Sequence, residues 1–202
     1  MCADFPFDPT TPRCPWCGND PLYCAYHDKE WGVPEWDSRA LWEKLVLDGF
    51  QAGLSWITIL RKRENFRAAF AGFDPVTIAT WSEADVQRLL ADPGIIRHRG
   101  KIETTIRNAR AYLEIEARAG FAPFLWRFVD GTPLQTRRTS SGQIPTATPV
   151  SEAMSRALKQ AGMGFCGPTI TYAFMQAVGM VNDHLVTCHV HDRVAGLGRR
   201  GR

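Results

Sequence analysis

One short stretch places an acid and an indole on either side of a tight turn. It runs from Asp48 to Trp56 with the sequence DGFQAGLSW, which is typical of a helix end, a turn and a new helix start. Gly49 and Gly53 allow backbone angles that other residues resist. A carboxylate facing an aromatic ring suits a flat, partly cationic ligand such as a damaged base. A plain helical corner with Trp56 in the core is the alternative, and this stretch alone leaves both open.

The composition indicates a globular protein. The 202 residues suit one domain, or a domain with a small added lobe, and 45% of them are hydrophobic, which is enough for a core. The sequence contains no apolar run of membrane-spanning length, and its N-terminus lacks a signal-peptide pattern, so we expect a cytoplasmic protein. A net charge of +3 is too small to indicate nucleic-acid binding by itself.

The hydrophobic periodicity predicts an all-α protein of roughly eight to ten helices, because no period-2 run of β-branched residues occurs. The predicted elements are a helix capped by Asp37, helices over residues 56–70, 102–119, 121–129 and 168–178, a helix capped by Ser151 and ending at Gln160, and a loop over 132–149. A single domain is predicted over residues 14–191. A flexible arm, residues 1–13, precedes it, and a mobile basic tail, residues 192–202, follows it.

Cysteine and histidine recur near both ends of the sequence and suggest a metal site. His184 and Cys188 are four residues apart, so on a helix they would share a face and could bind one ion. Cys14 and His27 could complete a Cys₂His₂ tetrahedron and tie the two ends of the chain together. Spacing alone leaves four rival ligands, which are Cys17, Cys24, His189 and His191. It also leaves open two unrelated groups of cysteine and histidine without a metal.

A Pro-Gly-Ile turn followed by basic residues lies between two predicted helices. Backbone N–H groups around Gly94 and Ile95, at the start of the next helix, could hold a phosphate. Arg97, Arg99 and Lys101 add positive charge at the same place. Phosphate contacts of this kind position a protein on DNA without reading its sequence. A solvated charged face is the alternative.

Aromatic residues are dense near the N-terminus. Trp16, Tyr23 and Tyr26 lie in a predicted loop with one short helical turn, away from any apolar helical stripe. Such side chains can stack on a planar ligand. Burial in the core is the alternative.

Four segments in one order carry a family resemblance. They are residues 20–34 (DPLYCAYHDKEWGVP), 51–56 (QAGLSW), 94–102 (GIIRHRGKI) and 181–184 (VNDH). They resemble the bacterial 3-methyladenine DNA glycosylase I family, within the helix-hairpin-helix glycosylase superfamily, over about residues 14–188. The resemblance implies an all-α helix-hairpin-helix glycosylase fold. It also implies a hairpin region at about residues 84–118 and a lobe in which zinc clasps the N- and C-terminal segments.

The resemblance also assigns roles to individual residues. It implies a structural zinc ion held by Cys14, His27, His184 and Cys188. It implies a catalytic group of Asp48, Tyr26 and Trp56, and a base pocket of Trp16, Tyr23, Trp31, Asp48 and Trp56. It implies DNA contacts by Gly53, Leu54, Gly94, Ile95, Arg97, Arg99 and Lys101, with Leu54 as an apolar plug. The family pattern has Glu where this sequence has Asp48, so this shorter carboxylate would reach a base through a water or a small backbone shift.

The function implied by the resemblance is that of a monofunctional base-excision repair glycosylase that hydrolyses the N-glycosidic bond of 3-methyladenine. An N3-alkylated adenine in DNA is cationic and its bond is already weak, so base flipping and shape selection matter more than strong acid catalysis. The expected partners are double-stranded DNA with alkylated bases and free 3-methyladenine as product. No membrane partner is expected, and a monomer suffices. One alternative is a non-enzymatic, zinc-containing helix-hairpin-helix DNA-binding protein. Another is a related glycosylase with a shifted substrate, since Asp48 replaces the glutamate of the family pattern.

Overall fold

The computed structural model describes residue 8 and residues 10–198, and within them the fold is almost entirely helical. Its α-helices are α1 (Pro21–Lys29), α2 (Ser38–Gln51), α3 (Trp56–Leu60), α4 (Arg63–Ala69), α5 (Pro75–Ala79), α6 (Glu83–Ala91), α7 (Arg99–Ala119), α8 (Phe121–Trp126), α9 (Pro149–Gln160), α10 (Pro168–Ala177) and α11 (His191–Leu197). Short 3₁₀ helices cover Pro15–Cys17, Ala71–Phe73, Arg127–Val129 and Ser141–Gln143. The all-α prediction is confirmed.

Two short strands interrupt the helical pattern. Strand β1 (Leu134–Gln135) pairs in parallel with β2 (Val181–Asn182), so that Leu134 lies opposite Val181. The Leu134 amide also donates a hydrogen bond to the Met180 carbonyl at 2.9 Å. The segment over 132–149 was predicted as a loop, and this pairing together with the 3₁₀ turn at Ser141–Gln143 gives it more structure than expected.

The chain divides into two compact units. The first comprises the described residues of Met1–Pro34 and Gln176–Arg202 together with Thr132–Pro145. The second comprises Glu35–Gly131 and Thr146–Met175. The first unit therefore unites segments from both ends of the sequence. The single domain predicted over residues 14–191 stays a prediction.

Helix α7 is central to the core of the second unit. Its residues Ile102, Ile106 and Ala109 recur at helical spacing and are buried, so they form one apolar stripe. This helix packs against α2 and most extensively against α5. Helix α2 begins as predicted, because the Asp37 carboxylate accepts a hydrogen bond from the Ala40 amide at 2.8 Å.

Three predicted helix bounds are wrong, each for a local reason. The helix over 56–70 is two helices, α3 and α4, because the backbone leaves helical geometry at Lys62 (φ −102°, ψ 1°). The cap of α9 is Thr148 rather than Ser151, since the Ser151 amide donates to the Thr148 hydroxyl and Pro149 takes the first helical position. Helix α7 begins at Arg99, three residues before the predicted start, because the His98 side chain accepts from the Lys101 amide at 3.2 Å.

The predicted basic tail is partly helical, since α11 extends to Leu197. The rest of that tail, residues 199–202, and residues 1–7 and 9 of the predicted arm lie outside the described residues. Within the described part of the chain, no helix has both the length and the apolar character needed to cross a membrane.

Candidate functional site

Two cysteines and two histidines of the first unit converge on one point. The ligand atoms of Cys14, His27, His184 and Cys188 all lie within 4.8 Å of one another, and all four side chains are buried. Cys188 Sγ lies 3.5 Å from His27 Nε2 and 3.6 Å from His184 Nδ1, and Cys14 Sγ lies 3.7 Å from His184 Nδ1. Around a tetrahedral zinc ion, sulfur and nitrogen ligands are about 3.5 Å apart. These residues therefore fit such an ion.

The outer nitrogens of both histidines have partners that orient the rings. His27 Nδ1 lies 2.7 Å from Asp28 Oδ1, and His184 Nε2 lies 2.9 Å from the Trp31 carbonyl. Each ring therefore turns its other nitrogen toward the cysteines, as metal-binding histidines usually do. Burial raises the pKa of Asp28, but hydrogen bonds from Arg13, His27 and His189 outweigh it and lower the pKa to about 2. Asp28 is thus a stable carboxylate partner.

The pKa of Cys188, one of the two cysteines of this group, is shifted. Hydrogen bonding from Cys14, together with contacts from both histidine rings, lowers the pKa of Cys188. A thiolate is the form of cysteine that binds metal. Cys188 therefore favours a cation at the centre of the group.

The C-terminal pair is positioned by a turn, and the prediction of a shared helical face is wrong. Residues 183–190 contain no helix, and the Cys188 amide closes a turn by donating to the Leu185 carbonyl at 2.8 Å. Cys17 and Cys24 lie outside the four-residue group and 4.0 Å from each other. His189 instead forms a second, partly exposed group with His27 and Asp28.

The predicted aromatic residues of the first unit form a cluster around Trp16. The Trp16 ring meets other rings edge-on, with centroid distances of 4.9 Å to Tyr23, 5.0 Å to Trp31 and 6.4 Å to Tyr26. Tyr23 and Tyr26 lie in α1, a regular helix of more than two turns, which is longer than the single short helical turn predicted within this loop. Trp16 Nε1 is buried and has no hydrogen-bond partner among the described residues, so a ligand acceptor would satisfy it.

Asp48 and Trp56 lie in the second unit, on either side of the turn that joins α2 and α3. Asp48 is in the last turn of α2 with a side chain only 1% exposed, and Trp56 is the first residue of α3. Burial raises the pKa of Asp48, and the nearby Lys44 ammonium opposes that rise. Asp48 Oδ2 has no hydrogen-bond partner within the described chain. One carboxylate oxygen is therefore available to a ligand.

Lys44 belongs to this arrangement, although the sequence analysis missed it. Its ammonium donates a hydrogen bond to Asp48 Oδ1 and lies 3.8 Å from the centroid of the Trp56 ring. The available signal was the spacing, because residues four apart on a helix are neighbours.

The turn between α2 and α3 exposes Leu54 and is anchored from below. Gly53 has a positive φ of 82°, and Leu54 is 42% exposed at its tip. The Lys101 ammonium donates to the carbonyls of Phe50 and Ala52 at 2.7 and 2.6 Å. Lys101 is buried, and burial lowers its pKa. Its predicted role as a DNA contact is therefore corrected, because the charged group points inward and holds the turn.

The predicted hairpin lies between α6 and α7. The Gly94 amide donates to Asp92 Oδ1 at 2.7 Å, and a Cβ at Gly94 would lie 2.9 Å from that oxygen, so a side chain there would displace the Asp92 carboxylate. Ile95 is buried, which leaves its backbone rather than its side chain to meet a partner. Arg97 is exposed, whereas Arg99 forms ion pairs with Glu83 and Glu103.

The sequence and the fold of this chain match one known family. The model of the methyladenine glycosylase family matches residues 16–191, and this chain is a member of that family. It is 58% identical over 177 residues to DNA-3-methyladenine glycosylase 1 of Escherichia coli (strain K12), covering 87% of this chain and 95% of that protein. A crystal structure of a 3-methyladenine DNA glycosylase I (58% identity) has a TM-score of 0.87, covering 89% of this chain and 99% of the other. A variant of such an enzyme, crystallised with 3-methyladenine, shares 37% identity and a TM-score of 0.86, covering 89% and 97%.

Proposed function

We propose that this chain is a base-excision repair glycosylase that hydrolyses the N-glycosidic bond of 3-methyladenine in alkylated DNA. The observation that carries the proposal is Asp48, a fully buried carboxylate beside an indole with one oxygen unpartnered among the described residues. Family membership adds strong support. A protein that only bound DNA would gain nothing from burying a carboxylate in this way.

The charge of the substrate explains how these residues act. N3-alkylated adenine is cationic in DNA, and its glycosidic bond is weak because the base leaves as a neutral molecule. Asp48 accepts a hydrogen bond from the amino edge of the base, and Trp56 stacks on its face. A stacked duplex hides that edge, so the base is flipped out first. Trp16, Tyr23 and Trp31 stay predicted base contacts, and Tyr26 stays a predicted catalytic residue.

DNA contact is assigned to two exposed turns of the second unit. Leu54 is an apolar side chain at the tip of a turn, which suits insertion beside an unstacked base. The α6–α7 turn serves as the helix-hairpin-helix, with the backbone at Gly94 and Ile95 and the exposed Arg97 meeting phosphates.

We propose that Cys14, His27, His184 and Cys188 hold a structural zinc ion, because together they would supply all four ligands of a tetrahedral site. Zinc would stabilise the folded first unit and take no part in the reaction. We further propose a monomer that is monofunctional. The base-pocket residues that the family resemblance implies include no lysine to serve as a lyase nucleophile, which supports this assignment.

The test is release of free bases from methylated DNA, resolved by chromatography, for wild type and Asp48→Asn. Asparagine keeps the shape of the side chain but loses its charge, so release of 3-methyladenine should fall about tenfold to a hundredfold. Asp130→Asn is the matched control, because Asp130 is exposed and asparagine tolerates its left-handed backbone, so release should stay unchanged.

Other outcomes separate the alternatives. No release of any methylated base by folded, zinc-loaded protein would favour the DNA-binding protein without enzymatic activity. Strand cleavage without added base, or a covalent adduct trapped by borohydride, would contradict the monofunctional assignment. Release that Asp48→Asn leaves unchanged would keep the glycosylase and remove Asp48 from the recognition site.

A further inference from the structure

Lys44 occupies the part of the second unit where a cationic base is expected to bind. Its ammonium hydrogen-bonds Asp48 Oδ1 and lies 3.8 Å from the Trp56 ring centroid. The side chain is 16% exposed, whereas the Asp48 side chain is 1% exposed. The ammonium thus holds two partners at once, a carboxylate and an aromatic face. Both are groups that attract a positively charged ligand.

We propose that Lys44 is a specificity-determining residue, an internal cation that holds the place of a cationic alkylated base and must be displaced when such a base binds. This inference rests on the proposed function, because it concerns the ligand of Asp48 and Trp56. It adds Lys44 to the recognition site and states how the charge of a base affects its binding there.

The geometry explains why the ammonium and the base compete. A base stacked on Trp56 lies about 3.5 Å above the ring, the height at which the Lys44 ammonium now lies. The same face cannot carry both groups. The lysine stem is long and flexible and is partly exposed, so the ammonium can swing toward solvent without movement of the helix.

The charges explain the effect on selectivity. The displaced ammonium stays tethered to α2, one helical turn from Asp48, so it still offsets the charge of that carboxylate. A cationic base therefore gains less from Asp48 than it would from a carboxylate with no lysine nearby. A neutral base pays no such penalty of repulsion between like charges. Lys44 therefore reduces the difference in binding affinity between a cationic base and a neutral base of similar shape.

The experiment compares two ligands at a pH where 3-methyladenine is uncharged. Dissociation constants are measured by calorimetry for neutral 3-methyladenine and for 3,9-dimethyladeninium, which carries a fixed positive charge. In Lys44→Met, the unbranched stem remains and the charge is lost. The preference for the cation is the dissociation constant of the neutral base divided by that of the cation. This ratio should be about tenfold higher in Lys44→Met than in wild type.

Three further variants make the ratio decisive. Lys44→Arg keeps the charge and should keep the wild-type ratio. Lys44→Gln removes the charge but keeps a donor for Asp48, so it should raise the ratio even if Lys44→Met folds poorly. Lys159→Met removes an exposed charge of the same unit and should leave the ratio unchanged.

Base release from methylated DNA is measured on the same preparations. A wild-type enzyme that releases 3-methyladenine, with a ratio that stays constant or falls in Lys44→Met and Lys44→Gln, would overturn the inference alone. Wild-type protein that binds neither ligand and releases no base would overturn the proposed function and this inference with it.

Discussion

Asp48 and Lys44 form a buried charge pair in which each side chain changes the cost of burying the other. A carboxylate that loses water without a partner either stays charged at a high free-energy cost or takes up a proton. Burial raises the pKa of Asp48, and Lys44 limits that rise. The lysine therefore keeps the carboxylate ready to accept a hydrogen bond while the site holds no base.

The raised pKa of Asp48 predicts how stability depends on pH in Asp48→Asn. An unfolded chain has an aspartate pKa of about 3.9, and the folded pKa is higher, so between the two values the folded state binds more protons. The contribution of Asp48 to the stability of the wild type therefore falls as the pH rises through this window. Asparagine does not titrate. The free energy of unfolding of the variant should therefore rise relative to that of the wild type above pH 4, by at most about 1.4 kcal/mol per pH unit. Urea unfolding at each pH measures the difference.

Asp74→Asn provides a control of opposite sign. Hydrogen bonds from the Thr77 hydroxyl and amide lower the pKa of Asp74, so its stabilising effect is present above the unfolded pKa and is lost as the pH falls. The free energy of unfolding of this variant should fall relative to that of the wild type as the pH rises toward 4. Both variants keep the Cys₂His₂ group, whose own pH dependence cancels in the comparison. A flat difference for Asp48→Asn would show that Lys44 cancels the effect of burial on the pKa of Asp48.

Residue identity was predictable here only where a pattern carried chemistry. Asp48 and Trp56 could be selected as an acid and an indole on either side of a turn, and the structure buries both. Lys44 could not be selected in the same way, since acid–base pairs four residues apart usually lie on exposed helix faces. Only the folded chain shows that this particular pair is buried beside an indole.

At the scale of elements, the start of α7 supports the end of α2. The last carbonyls of a helix have no partner within it, and a cation placed there stabilises them. Lys101 supplies that cation to the carbonyls of Phe50 and Ala52, directly before the turn that exposes Leu54. A residue expected to contact phosphate thus positions the turn that is proposed to enter the duplex.

Lys101→Met should loosen this turn. Two carbonyls lose a charged donor in a buried setting, so the free energy of unfolding should fall by about 2–3 kcal/mol. The Leu54 amide, which now donates to the Gln51 carbonyl at 2.6 Å, should exchange with solvent faster. Hydrogen exchange on peptides over residues 49–58, read by mass spectrometry, measures the effect.

Lys62→Met is the matched comparison, because its ammonium also donates to two carbonyls, those of Pro93 and Gly94, at 3.0 and 3.2 Å. Lys62 is half-buried, so Lys62→Met should lower the free energy of unfolding by less than Lys101→Met does. Its effect on exchange should fall on residues 92–98 and spare residues 49–58. Equal exchange over 49–58 in wild type and Lys101→Met would mean that the turn holds its shape without the lysine.

Element types were predictable from sequence, whereas several boundaries depended on tertiary contacts. Caps with a side chain that bonds the next amides, such as Asp37, were readable. The break at Lys62 was not, because residues 61–64 contain neither glycine nor proline and the apolar pattern continues across them. The turn at residues 183–190 was likewise invisible, since i and i+4 spacing is compatible with both a helix and a turn closed around a metal.

At the scale of the whole molecule, the first unit is assembled from distant parts of the sequence. Its Cys₂His₂ group takes two residues from the N-terminal segment and two from the C-terminal one, which are Cys14 and His27 against His184 and Cys188. Closing so long a loop costs chain entropy, and the proposed ion would offset that cost in the folded state alone. Spacing left rival ligands open, and the folded chain excludes Cys17 and Cys24 from the group.

Removal of the ion should therefore weaken the first unit more than the second. A chelator should lower the free energy of unfolding by about 3 kcal/mol, which for a chain of this size is a fall in melting temperature of about 10 °C. Hydrogen exchange should accelerate in residues 21–34 and 176–198, while α7 in the apolar core of the second unit keeps its protection. Cys188→Ser should lose the stoichiometric zinc, and Cys17→Ser should retain it, which elemental analysis of the purified proteins measures. Zinc lost equally from both variants would return Cys17 to the ligand set. A melting curve unchanged by complete removal of the metal would mean that side-chain packing alone holds the two ends of the chain.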